Sequence, residues 1–176
     1  MIEIKVTDYG MNAEGVGKLD GKVILLDKVL IDEVVEANIT EDKGNYSIAK
    51  TNKIITKSNC RTSAPCPYFQ TCGGCDLQHM VYAEQLKFKQ QLVQKTIKKI
   101  CNIDITVNET IPCDVQYGYR NKLSINADKL KFGFFRSNSK DLVEVNHCML
   151  ATDNINKIYS LCKDFIINNN LQPLIY

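Results

Sequence analysis

The sequence lacks the features that place a chain in or across a membrane. None of its apolar runs approaches the roughly 20 residues that a transmembrane helix needs. The N-terminal stretch MIEIKVTDYG carries acidic side chains and alternates in polarity, unlike a signal peptide. Internal repeats and low-complexity tracts are also missing, and a hydrophobic content of 44% argues against global disorder. We therefore expect a cytoplasmic, monomeric chain with hydrophobic cores and no membrane partner.

The net charge of the chain is small, but its charged residues are unevenly distributed. Residues 1–58 contain 8 Lys and 10 Asp or Glu, a net charge of −2. Residues 59–176 contain 14 Lys or Arg and 10 acidic residues, a net charge of +4. The basic excess in the later part favours a polyanionic partner there, although ordinary solvating charges give the same balance.

Cysteine, by contrast, is abundant: the chain has 8. Structural disulfides are rare in the cytoplasm, where clustered cysteines more often bind metal or react. The sequence therefore predicts metal ligands and buried thiols, and not a disulfide framework.

Residues 1–58 have the pattern of short β-strands. IEIKV alternates apolar and polar residues, and Asp20-Gly21 is a hairpin signal between two apolar runs. EVVEANI, YSIAK and KIITK are three further candidate strands. Because closure removes exposed strand edges, we predict a small five-stranded barrel of the oligonucleotide-binding (OB) type. A structural barrel without a ligand fits the same pattern.

The remainder of the chain predicts helices and a second group of strands, which gives a mostly β fold with α (α+β). ATDNINKIYSLCKDFIINNN predicts a helix capped near Thr152 or Asp153, and Asp128-Lys129 predicts a hairpin turn. The other predicted strands are IDITV, KLSINA, KLKFGFF and LVEVN. An earlier helix, YAEQLKFKQQLVQKTIKKI, has one apolar stripe (Leu86, Val93, Ile97, Ile100) opposite a lysine face (Lys87, Lys95, Lys98).

Residues 59–82 hold three cysteines in the spacing C-x5-C-x2-C, at Cys66, Cys72 and Cys75. A redox disulfide is the least favoured interpretation, because the CxxC pair lies in a loop and not at a helix N-terminus. Zinc is one candidate, with His79 as the fourth ligand. An iron–sulfur cluster is the other, with a fourth thiolate from far along the chain, for which Cys148 is a good candidate. Spacing alone leaves both open.

The loop also resembles a known family at specific positions. CPYFQTCGGCDLQHMVYAEQLKFK resembles the iron–sulfur segment of the bacterial RNA uracil-C5 methyltransferases, whose pattern is C-P-x-F-x-x-C-G-G-C-x-x-Q-H followed by a Tyr and a Gln-x-x-K helix. Downstream, YGYRNKLSI and GFFRSNSKDLVEVNHCML resemble two further segments of that family. The N-terminal strands resemble the TRAM barrel of its 23S ribosomal RNA branch.

This resemblance implies a 4Fe–4S cluster held by Cys66, Cys72, Cys75 and Cys148. The other four cysteines have no ligand role in the family, and we expect small buried or partly buried side chains at these positions (Cys60, Cys101, Cys113, Cys162). In the family, a C-terminal Rossmann-like domain binds S-adenosylmethionine and supplies the catalytic cysteine and base. The 176 residues contain no glycine-rich strand-to-helix turn for that cofactor. We therefore predict no catalytic and no cofactor-binding residues here, and no activity of this chain alone.

The resemblance further implies a ribosomal RNA partner, with transfer RNA as the alternative. Residues suited to stacking and phosphate contacts are Tyr119, Arg120, Asn121, Lys122 and Arg136. A core position for Tyr119 and a structural ion pair for Arg120 are equally compatible with the sequence. The predicted domains are a TRAM/OB-like barrel (1–58), an iron–sulfur loop (59–82) and a helix with a partial central RNA-binding domain (83–176). A free-standing RNA-binding module with a structural zinc is the rival interpretation.

Overall fold

The computed structural model describes residues 1–171, which form two compact units. Unit 1 comprises Met1–Ser63 and Asp76–Ile111, and unit 2 comprises Ala64–Cys75 and the chain from Pro112 onward. The three domains predicted from the sequence stay a prediction, and the last five residues of the third lie outside the described residues. Neither helix within residues 1–171 is long and apolar enough to cross a membrane. The cytoplasmic location and the monomeric state stay predictions.

Unit 1 is built on one six-stranded sheet. Its hydrogen-bonded order is β1-β5-β6-β4-β3-β2, with β4 and β6 parallel and the other neighbours antiparallel. The mostly β fold expected from the sequence is confirmed. The strands are β1 (Ile2–Lys5), β2 (Asp8–Tyr9), β3 (Gly15–Leu19), β4 (Lys22–Leu26), β5 (Val34–Asp42) and β6 (Tyr46–Thr56).

The prediction of a closed barrel with five strands is wrong in detail. The sheet has six strands, and its order begins at β1 and ends at β2 without a pair that closes it among the described residues. YSIAK and KIITK are one continuous strand, β6, of 11 residues. This strand pairs with β4 at Tyr46–Ala49 and with β5 along most of its length, where register shifts bend the ladder. One long bent strand can therefore pair with two neighbouring strands.

The hairpin predicted at Asp20-Gly21 is confirmed between β3 and β4. Both residues have positive φ, 49° and 82°, as a type I′ turn requires. Alternate residues of the strands then point into one core, where each fully buried aliphatic side chain contributes about 2 kcal/mol. The core of the sheet consists of Ile4, Val6, Ile24, Leu26, Val29, Val35, Ala37 and Ala49.

Helix α1 (Tyr82–Cys101) confirms the predicted helix but not its predicted buried stripe. Phe88 is the buried residue, and its ring meets the Tyr9 ring edge-on with centroids 5.3 Å apart. Val93 and Ile100 of the predicted stripe are 48% and 75% exposed. Phe88, with Leu92 one turn on, packs into a second core cluster. Two loops of the sheet contribute Ala13 and Leu30, and the segment before α1 contributes Met80.

IDITV, predicted as a strand, is not one. The segment runs beside α1, and side chains of the helix form hydrogen bonds with its backbone N–H and carbonyl groups. Gln90 donates from Nε2 to the Val107 carbonyl at 2.8 Å, and the Val107 N–H donates to Gln94 Oε1 at 3.4 Å. The Thr110 hydroxyl in turn donates to the Leu86 carbonyl at 2.9 Å. A segment with alternating apolar residues therefore packs along a helix here and does not pair with a strand.

Unit 2 contains a three-stranded antiparallel sheet and a helix. Its strands are β7 (Asn126–Asp128), β8 (Lys131–Phe135) and β9 (Leu142–Glu144), in that order. The predicted hairpin is confirmed, with Lys129 at φ 55° in its turn, whereas KLSINA is a strand only from Asn126. Helix α2 (Asp153–Asn168) begins after Thr152, whose hydroxyl accepts from the Ile155 N–H as predicted.

Candidate metal centre

The cysteine loop of unit 2 folds around one buried aromatic side chain. Phe69 is 2% exposed, whereas Cys66, Cys72 and Cys75 are partly buried. The turns are closed by backbone hydrogen bonds from Phe69 to the Cys66 carbonyl at 3.1 Å and from Cys72 to the Tyr68 carbonyl at 2.7 Å. The loop therefore has a defined backbone although it contains no helix or strand.

The loop is fastened to the sheet of unit 2 at two points. The Gly73 N–H donates to the Phe135 carbonyl at 2.9 Å, at the end of β8. The Asn146 N–H, just past β9, donates to the Tyr68 hydroxyl at 3.4 Å. A Cβ on Gly73 would lie 2.7 Å from the Ser137 nitrogen, so only glycine permits this approach.

Cys148 lies in the turn between β9 and α2, in the same unit as the loop. The following residues pair with a passing segment: Gly118 donates to the Met149 carbonyl at 2.9 Å, and Arg120 to the Leu150 carbonyl at 2.7 Å. The segment that contains Gly118 thus runs alongside the turn that carries Cys148.

Tyr117, next to Gly118, lies near the cysteine loop. Burial raises the pKa of the Tyr117 hydroxyl, and the nearby Cys75 and Cys66 thiols raise it further. The hydroxyl therefore lies within electrostatic range of two loop cysteines, while its neighbour pairs beside Cys148. Tyr117 is the first residue of the family-like segment YGYRNKLSI, but the sequence assigned it no role.

The donor set of unit 2 fits an iron–sulfur cluster in its chemistry. Four partly buried thiols from two segments are the soft ligands that such a cluster requires. Within residues 1–171, no group of three or more His, Cys, Asp or Glu side chains is already arranged to hold a metal ion. The thiols are gathered in one unit without standing in coordination positions.

The cysteines without a predicted ligand role divide into two kinds. Cys60 is partly buried against the second core cluster of unit 1, as expected. The expectation of burial is wrong for the other three, which are exposed (Cys101, Cys113, Cys162). Cys101 ends α1 and Cys162 lies on α2, both on helix faces that the described residues leave uncovered.

The residues predicted to contact RNA all belong to unit 2, and all five are exposed (Tyr119, Arg120, Asn121, Lys122, Arg136). Tyr119 is 54% exposed, which excludes the core position considered for it. Asn121 and Lys122 also line a cleft of about 780 Å³ between the sheet and α2. Backbone pairing holds Arg120, because its carbonyl accepts from the Thr152 N–H at 2.9 Å. Their cationic and amide groups are therefore accessible to a ligand.

Comparison with known proteins shows which proteins this chain resembles. Residues 1–51 match the TRAM domain. A protein of Clostridium acetobutylicum named as an RNA methyltransferase is 36% identical over 97% of this chain and 38% of its own length. One of Aquifex aeolicus with the same designation is 32% identical over 82% of this chain and 34% of its own. This chain is therefore similar over most of its length to proteins named as RNA methyltransferases.

A solved structure agrees with the fold of this chain. The tRNA (uracil-54, C5)-methyltransferase of Pyrococcus abyssi, in complex with S-adenosyl-L-homocysteine, superposes with a TM-score of 0.68 at 23% identity. The match covers 95% of this chain and 37% of that one. The chain thus spans less than two fifths of the length of these related methyltransferases.

A buried ion pair in unit 1 joins Glu33, within the TRAM match, to Arg61, which follows it. Both carboxylate oxygens of Glu33, which is fully buried, accept from the Arg61 guanidinium. Nearby, His79 is 3% exposed, and its carbonyl accepts from the Thr62 N–H at 2.9 Å. Burial, and to a lesser extent the Arg61 cation, lowers the pKa of His79 to about 4. At neutral pH His79 is therefore uncharged.

Proposed function

We propose that this chain is the RNA-holding and cluster-binding region of an S-adenosylmethionine-dependent enzyme that methylates C5 of uracil in 23S ribosomal RNA. One observation carries the proposal: the loop with the family's cysteine motif folds into the same compact unit as the distant Cys148. The TRAM match and the relatives named as RNA methyltransferases support the RNA and methyl-transfer parts of it.

In this proposal, Cys66, Cys72, Cys75 and Cys148 hold a 4Fe–4S cluster. The cluster supplies a cross-link between two segments that are roughly seventy residues apart in the sequence. By analogy with a disulfide that closes a loop of this size, such a link constrains the unfolded chain by about 4 kcal/mol. Methyl transfer needs no electron, so we assign the cluster a structural role. The thiols would come together as the metal binds, since metal binding and local folding are coupled.

In this proposal, the exposed residues of unit 2 that were predicted to contact RNA would bind it. Arg120, Lys122 and Arg136 suit phosphate contacts, and the Tyr119 ring offers a surface on which a base can stack. A target base must leave its stack to reach the methyl donor, so neighbouring protein must hold the distorted strand. Uracil C5 becomes nucleophilic only after a thiolate adds to C6, and we assign that step to residues outside these 176.

Transfer RNA is the second candidate substrate, because the structural neighbour of Pyrococcus abyssi is named for a uracil of tRNA. Both substrates share the same chemistry and the same proposed contacts. Binding of the chain to a 23S ribosomal RNA fragment and to a tRNA transcript, measured side by side at several salt concentrations, distinguishes them. Binding to neither RNA would contradict the proposal.

Metal analysis tests the cluster. The chain is purified without oxygen, and iron, acid-labile sulfide and zinc are measured together with the visible absorption spectrum. We expect about four irons and four sulfides per chain and a brown colour. One zinc per chain and no colour would favour the rival zinc-binding module, in which His79 takes the fourth position.

A further inference from the structure

Asn156, one turn into α2, makes an unusually complete set of hydrogen bonds. Its side chain is buried, with 7% of the residue exposed. Its Oδ1 accepts from the Cys148 N–H at 2.9 Å, while its Nδ2 donates to the Cys148 carbonyl at 3.1 Å. The same Nδ2 lies 3.3 Å from the carbonyls of Ala151 and Thr152. The amide thus contacts both backbone groups of the cysteine in the manner of a neighbouring β-strand.

These contacts differ from the other restraints on the turn. The Tyr159 hydroxyl, also on α2, donates to the Val145 carbonyl at 2.6 Å and so holds the chain three residues before Cys148. Gly118 and Arg120 hold the residues after it, at Met149 and Leu150. At Cys148 itself, the Ala151 N–H donates to the carbonyl at 3.0 Å. The Asn156 side chain bonds to both backbone groups of Cys148, as acceptor from the N–H and as donor to the carbonyl.

A buried amide that pairs with one residue's N–H and carbonyl fixes that residue's backbone, and therefore the direction of its Cα–Cβ bond. For a cysteine ligand, this direction decides whether the sulfur reaches the metal. Partners that orient a ligand in this way affect metal retention strongly when they are removed.

We propose that Asn156 is the positioning residue that holds Cys148 ready for the cluster. The inference rests on the proposed function in taking Cys148 as a ligand, but the restraint on Cys148 is a property of the chain itself. It can therefore be measured with and without iron.

The test compares Asn156→Ala with a matched control, Tyr159→Phe. Both changes remove a buried hydrogen bond from α2 to the same turn, but the control leaves the Cys148 contacts intact. Alkylation of Cys148 in the iron-free chain is timed by mass spectrometry, with the exposed Cys101 as internal reference. We expect alkylation of Cys148 about tenfold faster in Asn156→Ala and unchanged in Tyr159→Phe, as the loss of one or two buried hydrogen bonds implies.

A second variant and a second measurement cover the case in which Asn156→Ala does not fold. Asn156→Asp keeps the acceptor for the Cys148 N–H but sets a carboxylate oxygen against the Cys148 carbonyl, so alkylation of Cys148 should again be faster than in the unmodified chain. In the unmodified chain, the Cys148 amide should exchange its hydrogen slowly, and fast exchange would overturn the inference.

Iron retention supplies the last readout. After reconstitution and brief exposure to oxygen, Asn156→Ala should lose iron at least about tenfold faster than Tyr159→Phe. Equal Cys148 alkylation rates in folded Asn156→Ala and in the unmodified chain would overturn the role of Asn156. An unmodified chain that takes up no iron would instead overturn the cluster, and the alkylation rates would still decide the role of Asn156.

Discussion

Replacing Arg61 with methionine should destabilise unit 1 more than any exposed charge change. Arg61 donates to both oxygens of the buried Glu33 carboxylate and, at 2.9 Å, to the Lys28 carbonyl. The carboxylate would keep the Leu30 N–H at 2.9 Å and the Ser58 N–H at 3.3 Å but lose the guanidinium. Removing one partner of a buried pair costs about 3–5 kcal/mol because the other charge stays buried.

The pKa of Glu33 leads to the same expectation. Burial raises this pKa, but the hydrogen bonds from Arg61, Leu30 and Ser58 outweigh burial, so the pKa lies below its ordinary value. A depressed carboxyl pKa stabilises the folded state above the ordinary carboxyl pKa, and this contribution is lost as pH falls toward the folded value. Without Arg61, burial dominates and the pKa should rise, so Arg61→Met should unfold at a higher pH than the unmodified chain does.

The assay is urea unfolding followed by NMR signals of sheet amides in unit 1. Lys22→Met is the matched control, since Lys22 pairs with Asp42 at 2.6 Å on the surface and should matter little. The double change Glu33→Leu with Arg61→Met should recover part of the loss, because no charge then remains buried. A loss in Arg61→Met no larger than in Lys22→Met would refute the reasoning.

Four further changes are predicted. Lowering the pH from 6.5 toward 4 should remove up to about 3 kcal/mol from unit 1, because unfolding lets His79 take up a proton, and His79→Gln should flatten this dependence in urea titrations. Phe88→Ala should cost about 3–4 kcal/mol in the same assay, since its ring packs in a core cluster. Gly73→Ala should lower iron content and the melting temperature of unit 2, whereas Gly74→Ala, whose added Cβ meets only the Cys72 sulfur at 3.5 Å, should not. Cys148→Ser should loosen unit 2 by hydrogen exchange, and a stable, RNA-binding Cys148→Ser chain would contradict the structural role of the cluster.

Features that depend on neighbouring residues could be predicted from the sequence. Two turns, at Asp20-Gly21 and at Lys129, were found because each needs a positive φ that only some residues adopt at low cost. The cap at Thr152 was found because its hydroxyl serves a backbone N–H three residues on. In each case the partner lies a few residues away, so the local pattern contains the whole interaction.

Features that depend on distant partners could not be predicted. The buried face of α1 centres on Phe88 because Tyr9, nearly eighty residues earlier, offers an aromatic edge. The alternation of apolar and polar residues at 103–107 does not reveal that Gln90 and Gln94 form hydrogen bonds with the backbone of this segment. The cysteine motif reveals three candidate ligands by spacing, whereas Asn156 belongs to no pattern and is recognised only by its burial and its contacts with Cys148.

The weak anchoring of the cysteine loop explains why a cross-link matters to unit 2. Within Ala64–Cys75, Phe69 is the one buried side chain, and its burial contributes about 2–3 kcal/mol. Ordering the backbone of the segment costs conformational freedom at every residue, which one buried side chain offsets only in part. The hydrogen bonds at Gly73 and Tyr68 add only about 1 kcal/mol each. A loop with so small a core needs another source of order, and a metal that joins it to Cys148, itself held by Asn156, would provide one.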